Sequence, residues 1–233
     1  MQRLVNDLRF TPSVDFQGTA HPTILSLQGA SLLLLSLILV PGCGPGDAIT
    51  MPTYTPEKAA QAAMAEYDVN HDGFLDAKEL EKCPALKSSL EYMDKNSDKR
   101  LNAEEIAARI QVYADTLVGL KPVGCRVLLD GRPLEGATVT YVPEKFMGSS
   151  IRPASGVTDA RGGAALTAEG EKVPGAQPGF YRVQISKKSG SGQEMIPARY
   201  NQETTLGVEV FPSKKVRAGV KDNEYAQFRL TSK

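Results

Sequence analysis

The first half of the chain is organised around the stretch Asp68-Val-Asn-His-Asp-Gly-Phe-Leu-Asp-Ala-Lys-Glu79. It fits the pattern D-x-[DN]-x-[DN]-G-x5-E at every specified position. Ca²⁺ is a hard cation that takes about six to eight oxygen ligands. The ligands predicted here are the side chains of Asp68, Asn70, Asp72, Asp76 and Glu79 and the backbone carbonyl of Phe74. Gly73 permits the left-handed turn that wraps the chain around an ion, so the stretch predicts a calcium loop.

A second copy of the pattern follows, Asp94-Lys-Asn-Ser-Asp-Lys-Arg-Leu-Asn-Ala-Glu-Glu105. The ligands predicted at the same offsets are Asp94, Asn96, Asp98, the carbonyl of Arg100, Asn102 and Glu105. Lys99 stands where the first loop has glycine, and a side chain held at positive φ costs on the order of 1 kcal/mol. We therefore expect a weaker calcium site in the second loop.

Helices are predicted on the flanks of both loops. Thr55 before Pro56 is typical of an N-cap and a first helical residue, and an apolar stripe continues to Tyr67. Pro84 opens the next helix. The apolar stripes of the three helices are Ala60, Met64 and Tyr67; Leu86, Leu90 and Met93; and Ile106, Ile110, Tyr113 and Leu117.

Short strands are predicted from residue 123 onwards. Seven apolar or alternating runs are separated by turn-forming residues such as Asp130-Gly131. The runs cover residues 123–129, 137–142, 154–158, 164–167, 179–186, 205–210 and 223–230. This spacing is typical of an antiparallel β-sandwich. The predicted fold class is therefore multidomain α + β, a small helical pair followed by a seven-stranded sandwich.

The two loops and their helices, residues 55–118, resemble EF-hand pairs. The resemblance implies that Leu75 and Leu101 pair as a short two-stranded bridge between the loops. Few large apolar residues remain beyond those that the core of the pair needs, so a structural calcium site is favoured over a sensor.

The rest of the chain resembles the carboxypeptidase regulatory-like, or transthyretin-like, β-sandwich domains of bacterial lipoproteins. The matching segments include Val127-Leu-Leu-Asp-Gly-Arg-Pro-Leu-Glu-Gly-Ala-Thr-Val-Thr-Tyr-Val-Pro143, Ser155-Gly-Val-Thr-Asp-Ala-Arg-Gly162 and Gly175-Ala-Gln-Pro-Gly-Phe-Tyr-Arg-Val183, with shorter matches at 196–201, 204–206 and 228–230. Cys125 departs from the family, which commonly has glycine there. The resemblance implies a secreted, non-catalytic interaction domain.

The N-terminal region has the features of a targeting segment. Residues 30–40 form an 11-residue apolar run, shorter than the ~20 residues that a membrane-spanning helix needs. The run leads into Pro41-Gly-Cys-Gly44, which resembles the lipobox of bacterial lipoproteins, in which the cysteine is acylated. Pro41 and the lack of a preceding Lys or Arg depart from that pattern. The alternative is a buried helix with an incidental cysteine.

The charge distribution supports several modules. The chain has 27 basic and 27 acidic residues, so binding to nucleic acid through a broad basic surface is excluded. Residues 66–105 carry 11 acidic and 6 basic side chains, whereas residues 121–233 carry 17 basic and 11 acidic ones. We predict a signal peptide at 1–42, a tether at 43–54, the EF-hand pair at 55–118, a linker at 119–122 and the sandwich at 123–233.

Catalysis is not expected from this composition. Once the signal peptide is removed, His71 is the one histidine in the sequence, and it lies inside the first calcium loop. A Ser-His-Asp or Cys-His arrangement would have no spare base, and no zinc-ligand pair of His and Glu is present in the sequence. Cys83 and Cys125 either pair, joining the two modules, or remain two separate buried thiols; the inward strand position of Cys125 favours the second interpretation.

Three functions remain open at the level of sequence. The first is a cell-envelope protein held on a membrane by acylated Cys43, facing the periplasm or the exterior, which binds Ca²⁺ and contacts an envelope protein. The second is a sandwich that binds cell-surface glycan, although the chain has no Trp and 6 % aromatic residues. The third is a hydrolase that works without a spare histidine.

Overall fold

The computed structural model describes residues 49–212 and 225–233. The predictions for residues 1–48, including acylation of Cys43, lie outside the described residues, as does the start of the last predicted strand. The described residues belong to one unit, Pro45–Lys233, and within these described ranges four α-helices precede nine strands. In the described ranges, no helix has the length and apolar character that crossing a membrane requires.

The helices are α1 (Pro56–Tyr67), α2 (Ala77–Leu80), α3 (Pro84–Met93) and α4 (Ala103–Thr116). α1 and α3 begin with proline, as predicted, because the first helical residue has no intrahelical use for its N–H. α2 and α4 begin with capping boxes. In each box, the N-cap side chain, Asp76 or Asn102, accepts a hydrogen bond from the amide of the glutamate three residues later, and the side chain of that glutamate accepts from the N-cap amide. Thr55 occupies the N-cap position of α1, but its side chain makes no capping hydrogen bond.

One member of the predicted apolar stripe of α4 is misplaced. Ile106, Ile110 and Tyr113 are buried, whereas Leu117 is 78 % exposed. The helix ends at Thr116, and Leu117 adopts the left-handed conformation with φ 49°. A left-handed residue after the last turn is a common helix terminator, and here it directs the leucine away from the core.

The strands form a four-stranded and a five-stranded sheet. Their bounds are β1 (Gly124–Leu129), β2 (Arg132–Pro133), β3 (Thr138–Pro143), β4 (Ala154–Val157), β5 (Gly163–Ala165), β6 (Thr167–Ala168), β7 (Gly179–Ser186), β8 (Gly207–Val210) and β9 (Tyr225–Leu230). In the smaller sheet β1 pairs with β2, β5 and β9, and the larger sheet has the order β6-β4-β3-β7-β8. The predicted α + β class with mainly antiparallel strands is confirmed at this level.

Two details of the strand prediction are wrong. The predicted strand at 164–167 is two strands, because the chain leaves β5 in the smaller sheet and enters β6 in the larger one on either side of buried Leu166. β2 is an additional short strand, so the described residues contain nine strands and not seven. β9 also pairs with β1 in parallel, whereas every other pair in the two sheets is antiparallel.

A single apolar core extends from the helices through both sheets. On the sheet side, Cys125 and Val127 of β1 and Val139 and Tyr141 of β3 are buried, as alternation predicts. The centre of the Phe180 ring of β7 lies 5.8 Å from that of Tyr113 of α4, so the helical and sheet parts of the core are continuous.

At one point a helix and the five-stranded sheet approach each other backbone against backbone. α3 begins directly over Gly207 at the start of β8. A Cβ atom added at Gly207 would lie 2.1 Å from the carbonyl carbon of Pro84 and 2.2 Å from the amide nitrogen of Ala85. Neither neighbour is a flexible side chain, so only the absence of a side chain at residue 207 allows α3 to approach this strand.

Gly207→Ala should therefore separate α3 from β8 and lower the free energy of unfolding by about 1–3 kcal/mol, the usual cost of overpacking. Denaturant titration followed by circular dichroism measures it. Gly190→Ala is the matched control, because a Cβ there would meet nothing within 4 Å. A Gly207 variant as stable as the Gly190 variant would contradict the close approach.

Candidate metal centre

Two twelve-residue loops connect the helices in pairs. Residues 68–79 run from the end of α1 into the first turn of α2, and residues 94–105 run from the end of α3 into the first turn of α4. The first residue of each loop donates a backbone hydrogen bond to the last turn of the preceding helix. The amide of Asp68 donates to the Met64 carbonyl, and that of Asp94 donates to the Leu90 carbonyl, both at 2.9 Å. The twelve residues are thus fixed at the start by a helix end and at the finish by a capping box.

In the first loop, three side chains turn back onto the loop's own backbone. Asp68 accepts hydrogen bonds from the amides of Asp72 (3.2 Å) and Gly73 (3.0 Å). Asn70 Oδ1 accepts from the Asp72 amide at 3.0 Å, and Asp72 Oδ1 accepts from the Phe74 amide at 2.9 Å. The first, third and fifth positions of the loop therefore bring their oxygen atoms together around one short stretch of backbone.

Glu79 closes this loop from its far end. Its Oε1 accepts from the amides of Val69 (2.8 Å) and Asn70 (3.3 Å), and its Oε2 accepts from the Asp76 amide at 3.1 Å. Asp76 in turn caps α2 by accepting from the amides of Lys78 and Glu79. Glu79 is only 6 % exposed, so both of its oxygens are directed into the loop.

The second loop repeats these contacts. Asp94 accepts from the amides of Asp98 (3.2 Å) and Lys99 (2.8 Å), and Glu105 accepts from the amides of Lys95 (3.0 Å) and Asn102 (3.1 Å). Asn96 Oδ1 accepts from the Asp98 amide and Asp98 Oδ1 accepts from the Arg100 amide, as Asn70 and Asp72 do two residues along in the first loop. In each loop, the side chains at the first, third, fifth and twelfth positions thus accept hydrogen bonds from the loop's own backbone amides, while Asp76 and Asn102 cap the helix that follows.

The two loops are joined at their eighth positions. Leu75 and Leu101 form an antiparallel bridge in which each amide donates to the other's carbonyl, at 2.7 and 3.1 Å. Both leucine side chains are fully buried. This pairing, which the resemblance implied, is confirmed.

The backbone at the sixth position is left-handed in both loops, with φ 85° at Gly73 and φ 61° at Lys99. The strain predicted for Lys99 is therefore present, because a side chain at this φ is unfavourable. The fourth positions, His71 and Ser97, are also left-handed. His71 is exposed, as expected for its place in the loop.

Arg100 is a residue whose side-chain role the sequence analysis missed. Its guanidinium lies 3.4 Å from Asp98 Oδ2 and 3.9 Å from the centre of the Phe74 ring, so it spans from one loop to the other. The Arg100 amide, with further hydrogen bonds, holds the pKa of the Asp98 carboxyl below its usual value. A cation already beside Asp98 reduces the net negative charge that the second loop offers.

The donor atoms suit a hard cation. Each loop offers carboxylate, amide and carbonyl oxygens, the ligand types that Ca²⁺ prefers. Within 49–212 and 225–233, no group of three or more His, Cys, Asp or Glu side chains is assembled as a metal cluster. The carboxylates of the loops accept hydrogen bonds from backbone amides, and each carboxylate oxygen has a further lone pair that can bind a cation.

A buried carboxylate outside the loops was also missed. Glu144, which follows β3, is 1 % exposed and accepts from Arg182 Nε of β7 at 2.9 Å and from the Tyr67 hydroxyl at 3.2 Å. Cys83 Sγ lies 3.6 Å from the same carboxylate, and Arg182 Nη2 donates to the Lys82 carbonyl at 3.0 Å. No sequence signal within any one segment predicts contacts between residues so far apart in the chain.

Glu209 of β8 forms the second such contact with the helices. Arg109 of α4 binds it with two nitrogens, at 2.7 and 2.9 Å, and the Tyr113 hydroxyl donates to it. The Arg109 guanidinium also stacks 3.9 Å from the centre of the Phe211 ring. Two-point binding of this kind is the strongest form of ion pair between side chains.

Cys83 and Cys125 are both free and buried. Burial raises the pKa of the Cys83 thiol well above its usual value and the pKa of the Cys125 thiol to about 12. Of the two interpretations left open by the sequence, the structure has the separate thiols. Both thiols stay protonated at neutral pH and are poor nucleophiles.

Comparison of the chain with protein-family models and with curated proteins finds no match. The interpretation of the two loops therefore rests on their residues and on their geometry.

The strain at Lys99 gives a direct test of the second loop. Lys99→Gly should raise the free energy of unfolding, because removing the Cβ relieves about 1 kcal/mol of strain, offset in part by the greater entropy of glycine in the unfolded chain. Lys95→Gly in the same loop is the control and should lower it, since Lys95 has no positive φ. Chemical unfolding in a calcium chelator compares the two variants, and equal losses would argue against strain at residue 99.

Proposed function

We propose that this chain is a non-catalytic, lipid-anchored protein of the cell envelope that binds Ca²⁺ through two EF-hand-type loops and presents a transthyretin-like β-sandwich for protein interaction. The observation that carries the calcium proposal is the repeated geometry of the two loops. In both, the side chains of the first, third and fifth residues accept hydrogen bonds from the loop's own backbone amides, and a buried glutamate closes the loop at the twelfth.

The charge of the first loop favours a divalent cation. Asp68, Asp72, Asp76 and Glu79 place four carboxylates within twelve residues, and these repel one another at short range. A bound Ca²⁺ would supply the opposite charge, while the loop's own residues provide the oxygens and the left-handed turn at Gly73. Binding should therefore stabilise the closed loop and the helices that frame it.

The second loop should bind more weakly. It has three carboxylates, Asp94, Asp98 and Glu105, with Asn102 in the place of the fourth. Lys99 is strained, and Arg100 already neutralises part of the charge on Asp98. Each of these features lowers the free energy gained when a cation enters.

The bridge between the loops supports an EF-hand pair over two independent turns. Leu75 and Leu101 tie the loops together, so that the two sites share one short piece of sheet. For the rest of the chain, the two sheets with a common apolar core support the sandwich. Calcium sites in extracellular modules have dissociation constants of about 10⁻⁴–10⁻³ M, which fits a structural ion in an envelope exposed to millimolar calcium.

The loops should differ when each loses the charge of its twelfth residue. Glu79→Gln should abolish the stronger of the two sites in calorimetric titration of the full chain, and Glu105→Gln should remove less heat. At a calcium concentration ten times the dissociation constant, one bound ion adds about 1.4 kcal/mol to stability, and the Glu79 variant should lose that increment.

Glu91→Gln removes the same charge from an exposed position on α3 and is the control. It should bind calcium like the unaltered chain. The calcium proposal fails if the unaltered chain gives no heat at millimolar Ca²⁺. The ranking of the loops fails if the Glu105 change costs more binding than the Glu79 change.

Acylation of Cys43 can be tested by fractionation. Each buried CH₂ contributes about 0.8 kcal/mol to membrane binding, so two or three acyl chains hold a protein where one is marginal. Cys43→Ala should move the chain from membranes to the soluble fraction. Cys125→Ala is the control, because it removes a buried thiol of β1 and keeps Cys43; a Cys43 variant that stays membrane-bound at the same level would refute lipid anchoring.

A further inference from the structure

The two arms of the first loop meet at one side chain of the five-stranded sheet. The incoming arm ends at Tyr67, one residue before the first predicted ligand, Asp68. The outgoing arm passes through α2 to Lys82. Arg182 Nη2 donates to the Tyr67 hydroxyl and to the Lys82 carbonyl, both at 3.0 Å. One guanidinium of β7 therefore bonds to the chain on both sides of the loop.

This guanidinium is itself held in place by the sheet. Its Nε donates to Glu144 at 2.9 Å, and the Glu144 amide donates to the Phe180 carbonyl at 2.9 Å. The carboxylate also accepts from the Tyr67 hydroxyl. Because Glu144 is 1 % exposed, moving Tyr67 away would leave a buried charge with one partner fewer.

The arms of the second loop contact the neighbouring strand. α3, which leads into that loop, begins over the backbone of Gly207. α4, which leads out of it, binds Glu209 through Arg109. Both loops are thus framed by helices whose positions are set by β7 and β8.

We propose that the five-stranded sheet sets the calcium affinity of the first loop, with Tyr67, Glu144 and Arg182 acting as positioning residues. This inference rests on the proposed calcium function. The network fixes the spacing between Asp68 at one end of the loop and Glu79 near the other before an ion arrives, so less ordering is needed on binding. Coupling between sites is reciprocal, and the bound ion must therefore stabilise β7 and β8 by the same factor.

The first experiment removes the hydroxyl group of Tyr67. Tyr67→Phe removes the hydrogen bonds to Glu144 and Arg182 and retains the buried ring. In calorimetric titration of the full chain, with Glu105→Gln present so that the first loop dominates, calcium affinity should fall by about fivefold, at the lower end of typical coupling.

Tyr181→Phe in the same background is the matched control. The Tyr181 hydroxyl is buried in β7 and donates to the carbonyl of Gln177, four residues earlier in the chain, at 2.7 Å. Its loss should lower thermal stability and leave calcium affinity unchanged. Equal affinities in the Tyr67 and Tyr181 variants would overturn the coupling, even if both variants were less stable.

A second measurement needs no substitution. Hydrogen exchange of the unaltered chain with and without Ca²⁺ should show slower exchange in β7 and β8 as well as in the helices. At saturating Ca²⁺ the slowing should approach about fivefold, the factor by which the intact network raises calcium affinity. Protection confined to residues 55–118 would overturn the inference, whereas absence of any calcium heat would overturn the proposed function itself.

Discussion

Glu144 is a carboxylate buried at the junction between helices and sheet, and the arrangement of both depends on how its charge is satisfied. A buried charge is tolerated only when it is paired and hydrogen-bonded, and removing one partner costs about 3–5 kcal/mol. Arg182 provides the pairing from the sheet, and Tyr67 provides a hydrogen bond from the helices. The helices cannot leave the sheet without uncovering this charge.

Glu209 of β8 is a second carboxylate whose charge must be paired and hydrogen-bonded. Arg109 and Tyr113 of α4 donate hydrogen bonds to it. Between the two carboxylates, α3 packs closely against the backbone of Gly207. The helices therefore contact the sheet at two ion pairs and, between them, through close backbone packing. The different charge compositions of residues 55–118 and 123–233 predict two separate modules. At the level of contacts, the two segments share one core and meet at two ion pairs whose carboxylates are buried.

The local features were predictable because they depend on neighbours in sequence. Proline at 56 and 84 marks helix starts, alternation marks β1, β3 and β7, and the loop pattern predicts the left-handed turn at Lys99. Two features were not predictable from the local sequence: the end of α4 before Leu117 and the change of sheet at Leu166. Each depends on the tertiary position of the segment that follows. Glu144 and Tyr67 are 77 residues apart, and no local pattern reports that they meet.

The parallel pairing of β1 with β9 has a consequence for the order in which the molecule assembles. Gly124 pairs with Tyr225, so β1 must wait for a strand made 101 residues later. Closing a segment of this length costs about 4 kcal/mol of chain entropy on the logarithmic scaling, whereas β3, β4 and β7 pair over shorter distances. The five-stranded sheet can therefore form while one edge of β1 still exposes its backbone amides and carbonyls. During that interval a second nascent chain offers β1 an alternative partner, and molecular chaperones would find their target at this edge.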